Sequence, residues 1–205
     1  MHARARYSAG LLTLAFALAT VPTLSTAQQR ATRALSVGLG GGGTVPLGDF
    51  ANDVKTGWNG LAHVQYQPAG GGPWAVRAET QYSGAKYTDD FLGAVGASPG
   101  DNLTNNVLSV GASALYHLSG RDGSVRPYLI GGLGLYRLTA SLKDGSGLTV
   151  SDSENGFGFS GGAGLRFGGP VGVFVEARFH QFSVTPKGGD KSTSRFIPVS
   201  IGVAF

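Results

Sequence analysis

Short segments in which apolar residues alternate with small or polar residues recur along most of the chain. Alternation with a period of two is typical of β-strands whose two faces meet different surroundings. Each segment is close to the ~10 residues that a tilted strand needs to cross a hydrocarbon core. The eight segments cover residues 34–43, 57–67, 74–84, 106–118, 126–138, 156–167, 171–184 and 195–205. The pattern therefore predicts eight strands.

The connections between these strands alternate in length. Those after the second, fourth and sixth strands are short, whereas the others are long and cover residues 44–56, 85–105, 139–155 and 185–194. The long connections contain all five lysines: Lys55, Lys86, Lys143, Lys187 and Lys191. Short periplasmic turns and long exterior loops are typical of outer-membrane barrels. We predict an all-β fold, an eight-stranded antiparallel up-and-down transmembrane β-barrel with the long loops outside the cell.

Composition agrees with this fold class and excludes several others. The 205 residues include 35 glycines and no cysteine, and 41% are hydrophobic against 14% charged. A disordered chain would combine low hydrophobicity with high net charge. The absence of cysteine excludes a disulfide framework, a thiolate metal site and a cysteine nucleophile.

The first 27 residues have the pattern of a secretory signal peptide. Arg4 and Arg6 precede an apolar run over residues 9–21, and a small-residue cleavage site ends at Ala27. We expect a signal peptide over residues 1–27, export through the periplasm and a barrel domain over residues 28–205. Removing the two arginines lowers the formal net charge from +4 to +2. The scattered basic residues that remain do not support a nucleic-acid partner.

Glycines indicate which face of the strands is inside. They share a face with the charged residues, and the lumen of an eight-stranded barrel is just wide enough for side chains to fill it. The glycines on that face are Gly38, Gly40, Gly42, Gly111, Gly132, Gly134, Gly162, Gly164, Gly172 and Gly202. We therefore predict that the polar face lines the lumen and that the apolar face meets outer-membrane lipid and lipopolysaccharide.

Aromatic residues near the strand ends fit the interfacial girdles of a membrane barrel. The predicted girdle residues are Trp58, Tyr66, Trp74, Tyr82, Tyr128 and Phe167. The alternation of side chains turns Arg137 outward, in agreement with Leu133 and Leu135 on the same strand. It lies at the end of the fifth strand next to a long connection, where an arginine that faces lipid costs only ~0 to 1 kcal/mol.

The predicted lumen contains a nearly balanced set of charges. The inward ionisable residues are Arg77, Glu79, Arg166, Glu176, Arg178, His63, His117 and His180. Because unpaired buried ions cost several kcal/mol, near balance favours a mutually paired plug over the selectivity ring of a pore. A three-residue turn after the sixth strand would pair Phe167 with Val171 and set Gly162 opposite Glu176.

The chain resembles the small bacterial outer-membrane β-barrel proteins, of which the OmpA/OmpX-type eight-stranded barrels are the best known. The resemblance covers residues 28–205 and rests on the segments GLGGGGTVPLGDF and RPYLIGGLGLYRL and on the terminal strand ending in Phe205. It implies that the outer-membrane assembly machinery recognises Phe205. No peptidoglycan-binding domain is expected after the barrel. The implied role is envelope structure or surface interaction through the loops, whose ligand has no signature in the sequence.

Two other functions compete with this interpretation. Some similar barrels are lipid A deacylases with a histidine and a nearby serine on one strand, and His180 and Ser183 are candidates. Their spacing of three puts them on opposite faces, whereas a nucleophile and its base need an even spacing. The second competitor is a secreted soluble barrel that binds a small apolar ligand.

Acidic pairs in the long loops do not make a convincing metal site. Neither the pair Asp89 and Asp90 nor the pair Asp152 and Glu154 has the spacing of an EF-hand. We therefore predict no catalytic residue, no cofactor and no metal.

Overall fold

Eight antiparallel strands close into a barrel in which each strand pairs with its neighbours along the chain. The computed structural model describes residues 35–68, 72–94, 96, 102–119, 123–143, 149–168, 171–185 and 191–205. The predicted signal peptide lies outside these residues and stays a prediction. The up-and-down barrel predicted from the alternating pattern is confirmed.

The strands are β1 (Leu35–Leu47), β2 (Gly57–Tyr66), β3 (Trp74–Lys86), β4 (Asn102–His117), β5 (Val125–Lys143), β6 (Thr149–Gly168), β7 (Gly172–Val184) and β8 (Ser192–Ala204). Two short helices, α1 (Phe50–Asp53) and α2 (Asp89–Ala94), lie in the connections after β1 and β3. Within the described residues, neither helix has the length and hydropathy needed to cross a bilayer.

The barrel closes between its first and last strands. Their register runs from Gly38 opposite Ala204 to Leu47 opposite Arg195. Beyond that ladder, the backbone amides of Val37 and Phe205 each donate to the other residue's carbonyl, at 2.8 and 2.9 Å. Closure leaves the barrel wall without an open edge, as a strand structure inside lipid requires.

The two faces of the wall differ as parity predicts. Outward side chains are apolar and exposed, for example Leu135 at 67% and Ile201 at 60%, whereas inward Phe174 and Phe182 are 2% and 1% exposed. An apolar belt around a whole barrel is far larger than the exposed patches of soluble monomers. The outer face therefore requires a hydrocarbon environment.

The hairpin of β5 and β6 is longer than the sequence pattern indicates. Most of the predicted exterior loop at residues 139–155 is strand, because β5 continues to Lys143 and β6 begins at Thr149. Hydroxyl pairs join the two strands across this extension, Thr139 with Ser153 at 3.0 Å and Ser141 with Ser151 at 2.9 Å. The segment resembles a loop in sequence because one face carries serine and threonine, and the other mixes Asp152 and Glu154 with Leu142 and Val150.

The predicted register between β6 and β7 is wrong, because each β6 residue pairs with the β7 residue two positions after the predicted one. Phe167 pairs with Val173, so Gly162 lies opposite Arg178 and Gly164 lies opposite Glu176. The ladder closes with Gly168 opposite Gly172, and the φ of Gly168 is 90°. Only glycine adopts this left-handed conformation readily, and it lets the turn begin one residue later than predicted.

The long connections lie at one end of the barrel, called the loop end, and the short connections lie at the other, called the turn end. The connections after β1 and β3 form a small cap at the loop end. An isolated bridge pairs Val54 with Tyr87, and Lys55 Nζ lies 3.0 Å from the Asp89 carboxylate. Val54 is buried, although both connections are predicted loops. The cap follows from backbone pairing between two segments that lie 30 residues or more apart in sequence, which strand periodicity does not reveal.

Candidate functional site: the polar network of the lumen

Two arginines and two glutamates form the centre of the lumen. Arg77 Nη1 lies 2.7 Å from Glu176 Oε2, and Arg178 Nη1 lies 2.6 Å from Glu79 Oε2. Arg178 also approaches Glu176 at 3.5 Å, which links the two pairs into one network. The side chains are at most 10% exposed. Because their charges cancel, the centre of the lumen is neutral.

Glu176 is the most connected member of the network. Besides Arg77, the Tyr128 hydroxyl donates to Glu176 Oε2 at 2.7 Å. Arg77 also donates to Gln65 Oε1 at 3.0 Å and lies over the Tyr128 ring at 5.6 Å from its centroid. A buried carboxylate needs hydrogen-bond donors, and Arg77 and Tyr128 supply two of them to Oε2.

Arg178 has a second set of partners toward the loop end. Its Nη2 donates to Glu79 Oε1 at 2.7 Å, to Ser160 Oγ at 2.6 Å and to Ser113 Oγ at 3.1 Å. Ser113 in turn donates to Glu79 Oε1 at 2.6 Å. Bidentate pairing of this kind gives an arginine–carboxylate contact geometric specificity.

Glycines make room for these large side chains. A Cβ at Gly162 would lie 2.7 Å from Arg178 Cα, and one at Gly164 would clash with the Tyr128 ring. Gly40 and Gly202 are cross-strand partners, and a Cβ at either position would lie 2.8 or 2.5 Å from Phe174 Cζ. The glycines of the polar face are therefore required by packing against the plug.

The three described histidines all lie inside the barrel, apart from the ionic centre. His180 places Nδ1 2.9 Å from the Tyr136 hydroxyl and stacks on Phe196 with ring centroids 5.0 Å apart. His63 packs edge-on against Phe174 at 5.4 Å, and His117 lies 5.8 Å from the Tyr128 ring. In these positions they contribute to packing of the plug.

The remaining predicted member, Arg166, does not join the network. It is inward and 9% exposed, yet no salt bridge within the described residues connects it to a carboxylate. Its cross-strand partner on β5 is Arg126, a second inward arginine that the sequence analysis missed. Parity alone would have found Arg126, because it lies two residues before inward Tyr128.

One predicted girdle residue is misassigned. Tyr128 is 2% exposed inside the lumen, where it contacts the ionic network. Its position near a strand end favoured the girdle, but parity relative to outward Leu129 assigns it to the lumen. The other predicted girdle residues, Trp58, Tyr66, Trp74, Tyr82 and Phe167, are exposed on the outer face.

The outer face of the β5–β6 hairpin shows where the apolar belt ends. Leu135 and Phe157 are paired and exposed, and the next outward pair is Arg137 with Asn155. Arg137 is exposed on the outer face, in agreement with its predicted position. An arginine at the edge of the hydrocarbon core can extend its charge into the headgroup region.

The candidate catalytic pair is not assembled. Ser183 is on the outer face, where its hydroxyl lies 2.9 Å from that of Thr193, whereas His180 is buried in the lumen. Asp89 pairs with Lys55, and the Asp152 carboxylate accepts the Ser153 amide at 2.9 Å. Across the described residues, no group of three histidine or acidic side chains is arranged to hold a metal ion.

Phe205 is exposed on the outer face beside the first strand. Its recognition by the assembly machinery stays a prediction.

Comparison with known proteins agrees with this geometry. The family model described as outer membrane protein beta-barrel domain matches residues 13–205. The chain belongs to this family. It is therefore an outer-membrane β-barrel protein of the Gram-negative type, with its apolar belt in the bilayer. No curated protein matches the sequence significantly.

Several solved structures have a similar fold. Neisserial surface protein A is 18% identical, with a TM-score of 0.53 over 83% of this chain and 96% of that chain. A major outer membrane protein from Thermus thermophilus is 12% identical, with a TM-score of 0.54 over 83% and 97%. The outer membrane enzyme PagL is 15% identical over 83% and 98%, and its TM-score of 0.42 is too low to bear on activity. At these identities the likenesses concern the fold alone.

Proposed function

We propose that this protein is a non-enzymatic outer-membrane barrel that supports the envelope and binds surface molecules through its long loops. The observation that carries the proposal is the β5–β6 hairpin. Its strands of 19 and 20 residues are longer than the other six, which have 10 to 16. A rigid protrusion of this kind presents a recognition surface beyond the lipid.

The hairpin offers one strand edge to a partner. Residues 149–155 of β6 pair with β5, whereas the ladder with β7 ends at Gly156 opposite Val184. Over the described residues no strand pairs with the other edge of this segment. Such an edge can bind an extended segment through backbone hydrogen bonds. Asp152 and Glu154 favour a partner segment that carries basic residues.

A filled lumen supports a role other than transport. Beyond the ionic network, Tyr136 stacks on Phe182 at 4.8 Å toward the loop end, and Phe196 closes the same cluster. Cavities of about 20 Å³ and about 10 Å³ beside these groups are near the space of a single water. Eight-stranded barrels generally have such interiors, whereas aqueous channels need about sixteen strands.

A peptide of alternating lysine and valine is a suitable probe for the exposed edge. We expect the barrel in uncharged micelles to bind it and to lose binding when residues 140–152 are replaced by Asn-Gly, which would join paired Thr139 and Ser153 directly. The double substitution Asp152→Asn with Glu154→Gln should weaken binding, whereas the control Asp89→Asn with Asp90→Asn should not. Equal binding by the shortened and full-length proteins would contradict the role of the hairpin.

The enzymatic alternative has its own test. Mass spectrometry of lipid A should give the same acyl-chain masses in cells with and without the protein. Ser183 lies on the opposite face from His180, and Ser160, which faces His180 across the ladder, is buried and accepts a hydrogen bond from Arg178. A deacylated species that depends on the protein and survives Ser183→Ala would point to another catalytic site and refute the non-enzymatic proposal.

Orientation is part of the proposal. We expect the loop end, with its cap and long hairpin, to face the exterior, and the short turns to face the periplasm. Epitope tags inserted at Gly96 and at Gly145 should bind antibody on intact cells, whereas a tag at Gly123 should bind only after the outer membrane is opened. Reversal of this result would invert the orientation.

A further inference from the structure

We infer that the outer face of the sheet beyond the apolar belt binds the phosphorylated sugar headgroup of a glycolipid of the lipopolysaccharide type. This sheet, called the sheet extension, consists of residues 102–106 of β4, 139–143 of β5 and 149–155 of β6. Its outer face continues the face that lies in the bilayer. A ligand on it is therefore continuous with the lipid beside the belt. The choice of an outer-leaflet lipid rests on the proposed orientation of the barrel.

The two faces of the sheet extension differ in the sign of their charges. Lys86 at the end of β3 and Lys143 at the end of β5 are exposed on the outer face, and Arg137 lies at its base. The acidic side chains Asp152 and Glu154 both lie on the opposite face. Within the described residues of these strands, the outer face therefore carries cations and no carboxylate. Charge complementarity favours an anionic ligand there.

Arg137 lies where the belt gives way to polar side chains. It is two residues beyond Leu135 of the belt, so roughly 6 to 7 Å of strand separate their Cα atoms. Its cross-strand neighbours on the outer face are Leu108 and Asn155, neither of them charged. The salt bridges of the described residues do not involve Arg137. A guanidinium binds phosphate through two parallel N–H···O bonds, so Arg137 suits a phosphate at the base of a headgroup.

Beyond Arg137 the outer face carries hydroxyl and amide groups, which exchange hydrogen bonds with sugar hydroxyls. They belong to Asn102, Thr104, Asn106, Thr139, Ser141, Thr149, Ser151, Ser153 and Asn155. Lys143 is six residues beyond Arg137, roughly 20 Å along β5. The surface is therefore long enough to contact several sugar rings between two cations. A phospholipid headgroup would contact only its base, so the surface fits a phosphorylated glycolipid better.

Binding of lipid A to the barrel in uncharged detergent micelles tests the base of the surface. We expect diphosphoryl lipid A to bind about tenfold more tightly than monophosphoryl lipid A, because one more phosphate accepts charged hydrogen bonds. Arg137→Gln should abolish this difference. The control Lys55→Gln removes the same charge from the cap, where Lys55 pairs with Asp89, and should retain the difference. Heat-modifiable migration on gels verifies that each variant folds.

A second comparison tests the length of the surface. Lipopolysaccharide that keeps its phosphorylated inner sugars should bind more tightly than diphosphoryl lipid A. This further gain should be lost in the double substitution Lys86→Gln with Lys143→Gln. It should persist in Asp152→Asn with Glu154→Gln, which changes two charges on the opposite face of the same sheet.

Three results would overturn the proposal. The first is equal affinity of the unaltered protein for the two forms of lipid A, or an equal effect of Arg137→Gln and Lys55→Gln. The second is binding of phosphatidylglycerol as tight as that of lipopolysaccharide. The third is binding of lipid-free dextran sulfate with the same dependence on Arg137, Lys86 and Lys143, which would assign the surface to a soluble polyanion. Both ends of the barrel are accessible in micelles, so these results are independent of its orientation, which the epitope tags measure separately.

Discussion

Several large side chains of the lumen lie opposite a glycine on a neighbouring strand. Tyr128 faces Gly164, His63 faces Gly38, and Arg178 faces Gly162. This arrangement explains why glycine is frequent in strands, where it is otherwise unfavourable. The outward glycine Gly161 lacks such a neighbour, since a Cβ there would have no heavy atom closer than 4.0 Å.

Substitution of two adjacent glycines tests this packing. Gly162→Ala should lower the free energy of unfolding by about 1 to 3 kcal/mol, because the new methyl group meets the Ala177 carbonyl oxygen and Arg178 Cα. Gly161→Ala should be neutral or stabilising, since alanine lowers the entropy of the unfolded chain. Urea midpoints in micelles measure both. A greater loss at Gly161 would mean that the assigned faces are reversed.

Removal of the Glu176 charge tests the ionic network. Glu176→Gln leaves Arg77 without its ion pair in a buried site, so we expect a loss of roughly 3 to 5 kcal/mol. The matched control is Glu154→Gln in the hairpin extension, which should change stability by less than about 1 kcal/mol. Comparable losses in the two variants would show that the lumen pair is solvated.

At the scale of strands and helices, parity could be read from the sequence but register and length could not. Alternation assigns Glu79, Glu176 and Arg178 to one face because the side-chain period of a strand is two. The β6–β7 register depends on the left-handed conformation of Gly168, which local composition does not reveal. The hairpin extension depends on cross-strand hydroxyl pairs that are visible only after pairing is known.

The same limit applies to the network and the cap. Charge type and parity predicted the inward residues, but not which arginine binds which glutamate. Arg77 and Glu176 are 99 residues apart in sequence, so their contact depends on closure of the whole barrel. Likewise, no local pattern brings Val54 beside Tyr87.

The cap contains a tyrosine that reports on its folding. Burial raises the pKa of the Tyr87 phenol, and the charge of Asp53 acts in the same direction, although Asn105 donates a hydrogen bond that opposes the shift. The neutral phenol is therefore favoured in the folded cap. Its contribution to stability is complete below the unfolded pKa of about 10 and is lost as the pH rises through the higher folded pKa.

Spectrophotometric titration checks this shift. The difference in ultraviolet absorbance between the unaltered protein and Tyr87→Phe should titrate with a midpoint above pH ~10. In urea the midpoint should return to about 10. A folded-state midpoint at or below that value would contradict the packing of the cap around Tyr87.

For the molecule as a whole, the central claim is that the apolar outer face lies in lipid while the polar face fills the lumen. The chain has two tryptophans, and both are exposed on the outer face, at 57% for Trp58 and 60% for Trp74. Trp58 lies on β2 near the loop end, and Trp74 begins β3 at the turn end. They therefore mark the two interfaces of the bilayer.

Fluorescence quenching by brominated phospholipids tests this claim most directly. In bilayers, the single-tryptophan variants Trp58→Phe and Trp74→Phe should both be strongly quenched, and more by bromines near the headgroups than by bromines at the bilayer centre. Each variant keeps one tryptophan, so the two ends of the barrel are measured separately. If brominated lipids leave the emission of either tryptophan unchanged while aqueous iodide quenches it, the result contradicts an outer wall that faces lipid.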